Sequence, residues 1–298
     1  MRLIRLLLRE CRDYVQYFVI PALAVVMPWW LAIRFFRLVA YIPFLYRQTS
    51  QLCLVGARHL QLIEASGMSE AAWLRACKVG QIIDYADIFM LVVGRKDYWQ
   101  RYVTENFSGL FQAQQMIFTP HYGAGMWVYW YLRQQGCLAV MFANRPRSNN
   151  ADARLGRLRF RVLEKLGAVI VSPDNLQALR PLLRQQATII VGPDIPVAEG
   201  VKFYRPLTDL GYLNLTARFF DLAEKRNLQV LNIVFSVDID SGQREFEARL
   251  LTGETAQNYA AAFARQSVEA IKKRSYLWRM LVAAPQVMLP LDDRKISQ

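Results

Sequence analysis

Five short apolar runs, rich in β-branched residues, constrain the fold of this chain more than any other feature: MIFT (116–119), LAVMF (138–142), AVIVS (168–172), TIIVG (188–192) and VLNIVFSV (230–237). Each reads as a strand. Stretches 126–135, 152–166, 175–186 and 212–226 between them carry apolar residues at helical spacing. Strand and helix in alternation predict an α/β fold, with a mainly parallel sheet flanked by helices. REFEARLL (244–251) follows across the DIDSGQ turn as a predicted antiparallel neighbour, and 255–273 reads as a closing helix. Residues 51–114 read as helical, with few glycines or prolines. No internal repeat, low-complexity segment or linker between two soluble domains is evident.

The N-terminus carries a different signal. From Tyr14 to Ile33 there are 20 consecutive residues without a charged side chain. As one helix they would be about 30 Å long, the thickness of a bilayer's hydrocarbon core. Arg2, Arg5, Arg9 and Arg12 precede the run at helical spacing, with Leu3, Leu6, Leu7 and Leu8 between them, and Arg34, Arg37 and Arg47 follow it. Trp29, Trp30 and Tyr41 stand near the expected interface. Pro21 and Pro28 would kink a continuous span, which leaves a bent, partly inserted anchor open beside a spanning helix; a buried core helix is the bland alternative. The expectation is a membrane-anchoring helical segment over 1–50, followed by an α/β domain over 51–298.

Against 24 acidic residues stand 37 basic ones, a formal charge of +13, which suits an anionic partner such as a phospholipid surface, a phosphorylated substrate or an acidic carrier protein. Nucleic acid is disfavoured, because no recognised binding motif accompanies the membrane-length run. Cys11, Cys53, Cys77 and Cys137 are scattered without metal-ligand or disulfide spacing, so neither a metal site nor a disulfide framework is indicated, and no cofactor is expected.

In open α/β sheets ligands bind beyond the carboxyl ends of the strands. Several polar residues fall there: His121 after the first predicted strand, Asn144 and Arg145 after the second, Asp174 after the third and Asp194 after the fourth. His121 lies in TPHYGAGMW (119–127). A neutral imidazole can take a proton from an attacking hydroxyl near pH 7, and backbone amides at Gly123 and Gly125, ahead of a helix start, could face a developing oxyanion. The helix end would also disfavour the imidazolium. A turn whose glycines merely satisfy backbone geometry is the competing reading, and these residues alone leave both open.

From about residue 115 to 285 the order of features resembles the lysophospholipid acyltransferase superfamily, and within it the bacterial lipid A late acyltransferase branch. His121 matches its catalytic histidine. ANRPRSNN (143–150) is similar to the second block, so the resemblance gives Arg145 the role of an anion-binding arginine near the acceptor's phosphate, with Asn144 beside it. IIVGPDIPVAEGVKF (189–203) resembles the block whose Pro-Asp pair, here Pro193 and Asp194, shapes the acceptor site; SYLWRM (275–280) resembles the C-terminal Tyr-x-Trp segment. The family's signature places an acid five residues beyond the histidine, and here that position is Met126. In the family the acid holds the imidazole's tautomer. Asp194, at the end of another strand on the same sheet edge, is the foremost substitute; Asp152 and Glu105 are weaker ones. HLQLIE, from His59 to Glu64, satisfies the spacing but reads as helix, lacks glycines and precedes the α/β region.

Arg154, Arg157, Arg161 and Lys165 form a cationic stripe beside an apolar one on the helix over 152–166, suited to lipid phosphates or an acidic acyl carrier protein, or simply to solvent. The aromatic run MWVYWYL (126–132) reads as core that could share residues with an acyl tunnel wall. The resemblance implies an enzyme of the bacterial inner membrane, its catalytic domain facing the cytoplasm, that moves an acyl chain from an acyl carrier protein or acyl-CoA thioester to a hydroxyl of a lipid or glycolipid. The alternatives are a non-catalytic lipid- or carrier-binding member, or a transferase using an amine acceptor or a non-fatty donor.

Overall fold

The computed structural model describes residues 2–94, 96–106, 110–111, 114–123, 125–146, 148, 150–173 and 175–291. Asp174 lies outside them. A seven-stranded sheet forms the centre: β1 (Val103–Asn106), β2 (Gln115–Phe118), β3 (Ala139–Phe142), β4 (Val169–Val171), β5 (Thr188–Val191), β6 (Gln229–Val237) and β7 (Arg244–Leu250), in the order β1-β7-β6-β2-β5-β3-β4. β6 and β7 pair antiparallel across their turn, and the other neighbours run parallel. The expected α/β architecture and the antiparallel neighbour are therefore both present. All four side chains of β2 and of β5 are buried, as central parallel strands covered on both faces require.

Two expectations along the chain are corrected. The helical region ends at Tyr102, and VTEN, read as helix, is the mostly exposed edge strand β1, which exists through its pairing with β7 rather than through any local apolar pattern. The start of the 212–226 stretch is not helical: Gly211–Leu213 and Leu215–Thr216 are short strands, and the helix occupies only Ala217–Lys225. Gly211 has φ +130°, and a Cβ there would lie 2.0 Å from the Leu289 carbonyl oxygen, so the chain enters extended and pairs with Met288–Leu289.

The uncharged N-terminal run does not form one spanning helix. It is divided among α1 (Arg2–Tyr14), a π-helical turn (Val15–Val19), α2 (Ile20–Val26) and α3 (Trp29–Ala40), and among the described residues no helix is long and apolar enough to cross a membrane. Pro28 causes the break: its ring forces Met27 extended (φ −91°, ψ 146°), ending α2 and starting α3. Trp29, Ala32, Ile33, Phe36, Val39 and Ala40 give α3 a buried face at helical spacing. That face belongs to the same core as the sheet, and Trp29 Nε1 donates to the Gly242 carbonyl at 3.2 Å. The opposite side, including Trp30 and Leu38 and continuing to Tyr41, stays exposed, as does Val26 at the end of α2.

Helix α4 (Arg47–His59) and helix α5 (Glu70–Val93) complete the helical layer. α5 is apolar on nearly every side and correspondingly buried, and it carries Asp84 and Asp87 inward. Asp87 meets Arg244 of β7 in a fully buried ion pair flanked by the rings of Trp29 and Tyr98. Burial pushes the Asp87 carboxyl up to about 6 despite the guanidinium beside it. This pair fastens the helical layer to the sheet. The remaining long helices are α6 (Trp127–Gln134), α7 (Ala151–Lys165), α8 (Ala217–Lys225) and α9 (Ala256–Lys273). All four cysteines are free thiols.

Candidate active site

β2 and β5 are adjacent, parallel and end on the same edge, and the residues that follow them form the site. Thr119 N–H extends the pairing to Val191 O at 2.9 Å, which brings the next turn, at His121, against the Gly192–Pro193–Asp194 turn. Asp194 is 2% exposed at its side chain and is fully engaged. Oδ1 lies 2.8 Å from His121 Nδ1; Oδ2 accepts from His121 N–H at 3.0 Å and from Trp278 Nε1 at 2.9 Å. Because a carboxylate only accepts, the neutral form of the ring has its proton on Nδ1 and its lone pair on Nε2. The substitute orienting role expected of Asp194 thus has its geometry.

Gly192 matters for the same ring. An added Cβ would fall 2.4 Å from His121 Cε1, 2.9 Å from Nδ1 and 3.0 Å from Nε2, so the imidazole rests directly on the glycine. From the other side the 275–279 segment closes in: Tyr122 bridges Trp278, and Arg279 N–H donates to His121 O at 2.7 Å. Burial opposes the charged imidazole, and the Asp194 carboxylate, through charge and hydrogen bond, outweighs it; the pKa of His121 stands above the ordinary histidine value. The expectation that the helix end would keep the imidazolium disfavoured is therefore corrected, since the adjacent carboxylate dominates. The side chain keeps 39% of its surface, on the side open to a cavity.

That cavity measures about 350 Å³. Met126, Tyr129, Phe142 and Leu163 supply apolar wall, while Thr119, His121 and Gly125 border it. Met126 is 5% exposed and precedes the first turn of α6, so the position of the family's acid is an apolar wall element. Gly123 does not serve as an oxyanion donor. Its N–H is spent on Leu277 O at 3.1 Å, and its φ of +59°, with a Cβ site 1.9 Å from Phe235 O, makes it a close-packing glycine. Gly125 borders the cavity, and its N–H has no hydrogen-bond partner among the described residues.

The expected anion-binding residues are elsewhere. Arg145 is exposed, pairs with Glu164 and lies over the Phe160 ring; Asn144 is exposed and accepts from Ser172 Oγ at 3.1 Å. Arg157 donates to the Ser148 and Pro146 carbonyls, and Arg154 is exposed on the outer face of α7. None of these four lines the cavity. Their long side chains satisfy themselves locally or in water, which the sequence pattern could not distinguish from ligand binding. Asp152 and Glu105 make no contact with His121; Glu105 accepts from Trp99 Nε1. His59 and Glu64 are exposed helical residues, as expected.

Three residues to which the sequence assigned no role also stand at the site, two of them, Trp278 and Arg279, within the SYLWRM segment (275–280). Trp278 anchors the orienting carboxylate. Arg159 and Arg279 line the cavity, the first held by Asp84 Oδ2 at 2.9 Å and the second by Gly80 O at 2.7 Å. Among the described residues no group of three or more metal-ligating side chains assembles. Compared with known proteins, the chain matches no protein-family model and no curated protein.

Proposed function

We propose that the protein is an acyltransferase of the lysophospholipid acyltransferase type, moving an acyl chain from a thioester of an acyl carrier protein or of coenzyme A to a hydroxyl of a lipid or glycolipid. The observation that carries this is the buried Asp194 carboxylate on Nδ1 of an imidazole whose other nitrogen is left for a cavity with an apolar wall. Nε2 takes the acceptor's proton as its oxygen attacks the thioester carbonyl. The Gly125 N–H meets the tetrahedral oxyanion. Collapse expels the thiolate, which receives the proton back from the imidazolium, while Asp194 stays ionised and supports the transient positive charge. Met126, Tyr129 and Phe142 would shelter the chain from water.

The exposed apolar side of the N-terminal helices, with Arg34 and Arg37 on α3, suits a bilayer surface rather than a span. The protein would then lie on the cytoplasmic face of a bacterial inner membrane. The outward stripe of Arg154, Arg161 and Lys165 would meet an acidic carrier protein. Met126 motivates a second reading, a non-catalytic family member that holds lipid or carrier. Purified protein given labelled acyl carrier protein, or labelled acyl-CoA, with membrane lipid extract separates the two. Transfer that disappears in His121→Ala supports catalysis; transfer that survives it removes the base, and no transfer from either donor favours the binding protein.

A further inference from the structure

We propose that Tyr129, with the Asp84–Arg159 pair beside it, forms a receptor for an uncharged hydroxyl or amide on the substrate that fills the His121 cavity. The Tyr129 ring is part of the apolar wall and the residue is only 7% exposed, yet its hydroxyl has no hydrogen-bond partner among the described residues. It is not one of the polar atoms sealed off from solvent, so the surface that it keeps is turned to the cavity. A phenol nine-tenths buried is costly to leave unpaired, and a polar group arriving with the substrate removes that cost. Burial pushes the phenol well above the ordinary tyrosine value, with the Arg159 charge opposing only in part, so the hydroxyl stays protonated and can both donate and accept.

The neighbouring groups decide what kind of partner fits. Asp84 comes from α5, Tyr129 from α6 and Arg159 from α7, and all three border the cavity. Asp84 Oδ2 accepts from Arg159 Nη2 at 2.9 Å, which leaves Oδ1 as an acceptor and Nη1 as a donor; the two side chains keep 13% and 34% of their surface. The pair sums to no net charge, and its free carboxylate oxygen disfavours an anion. A hydroxyl or a secondary amide donates and accepts at once, which matches a wall that offers a donor, an acceptor and a phenol able to be either. The Arg159 charge also bears on His121, behind burial and the larger influence of Asp194, so receptor and reacting ring share one electrostatic neighbourhood. This deepens the acyl-transfer reading and rests on it for the carrier of the group: a hydroxylated acyl chain, or the amide-bearing pantetheine arm of the thioester donor.

Calorimetry on the full-length protein without acceptor tests the proposal, using S-octanoyl-N-acetylcysteamine as the reference probe. Its 3-hydroxyoctanoyl analogue adds a chain hydroxyl, and its analogue with an ester in place of the amide removes the arm's N–H. The parent is expected to favour the more polar member of one pair by about tenfold or more, and Tyr129→Phe to reduce that ratio to about twofold or less. The pair that responds identifies the carrier, chain or arm. Circular dichroism and the thermal midpoint establish that the variant is folded, and a merely structural role would weaken both members of a pair alike. Equal binding within both pairs in the parent, no measurable binding of any probe, or a preference that persists in Tyr129→Phe overturns the receptor. Transfer that survives His121→Ala would remove the base and leave these ratios intact, so the two readings fail separately.

Discussion

Gly192→Ala is the sharpest perturbation of the proposed chemistry, because the added carbon touches the imidazole and nothing in the acceptor's path needs to be invoked. The new Cβ would sit 2.4 Å from Cε1, whereas ordinary contact begins at 3.4 Å, so the ring must shift by the difference, about 1 Å. The neighbour is a side chain, and the fold can absorb the change: overpacking typically costs about 1–3 kcal/mol, offset by about 0.4–1 kcal/mol from the stiffer unfolded chain. Catalysis cannot absorb it as easily. A misplacement of about 1 Å at a reacting group costs about 10²-fold, and complete loss of an orienting carboxylate sets a ceiling of about 10⁴-fold. The expected outcome is a folded protein whose kcat for acyl transfer falls about 10²-fold or more, with a urea midpoint only modestly lowered. Initial rates at saturating donor and acceptor measure the first, and equilibrium denaturation the second. Unimpaired kcat in a variant whose stability has dropped would show that the ring resting on Gly192 is not the reacting base.

Asp194→Asn should lower the pKa of His121, since the carboxylate is what raises it against burial; the acid limb of kcat/KM then moves to lower pH while the plateau falls, and a limb that stays in place rejects the pairing. The sign for stability follows from the same shift: the pair's contribution is complete below the ordinary histidine value of about 6.5 and fades as pH rises through the raised folded value, so urea titrations should find the parent's advantage over Asp194→Asn shrinking on the alkaline side. Met126→Glu should give no gain, because Nδ1 already has its acceptor and the new carboxylate would be buried in an apolar wall; a tenfold increase in transfer would move the orienting role to position 126. Replacing Val26, Trp30 and Leu38 together by serine should weaken sedimentation with anionic phospholipid vesicles at least tenfold, given about 1.5–3 kcal/mol for each fully buried apolar side chain, and unchanged partitioning would discard the surface-binding face.

Much of the sheet was readable because a buried parallel strand leaves a dense mark: MIFT and TIIVG are apolar at nearly every position, as two-sided burial demands. β1 was not readable, since VTEN is a polar edge segment whose structure comes from β7, 138 or more residues away in sequence. The N-terminal run shows a different limit. Hydropathy records that a surface must be covered but not by what, and on α3 one side is covered by the protein core while the other is bare. Pro28 marks where the run breaks, ending α2 and starting α3, and the bent helical layer uses that break. The arginines follow the same logic. Arg154, Arg157, Arg161 and Lys165 share a face because that face meets water, and Arg159 stands apart from them because it turns toward Asp84 and the cavity.

The fate of the missing acid follows from valence rather than from likeness to any motif. A neutral imidazole has one N–H to direct, and a single well-placed acceptor is enough to hold the tautomer and support the charge that appears during transfer. Adjacent parallel strands that end on one edge can supply that acceptor from either of two places: the helix that follows the histidine, or the turn that ends the neighbouring strand. Here the neighbouring turn supplies it, with Gly192 making room for the ring and Trp278 holding the second carboxylate oxygen. A carboxylate placed at position 126 would be buried in an apolar wall, where an uncompensated charge is costly. With Nδ1 already held by Asp194, a carboxylate exchanged for Met126 alone is not expected to improve the site.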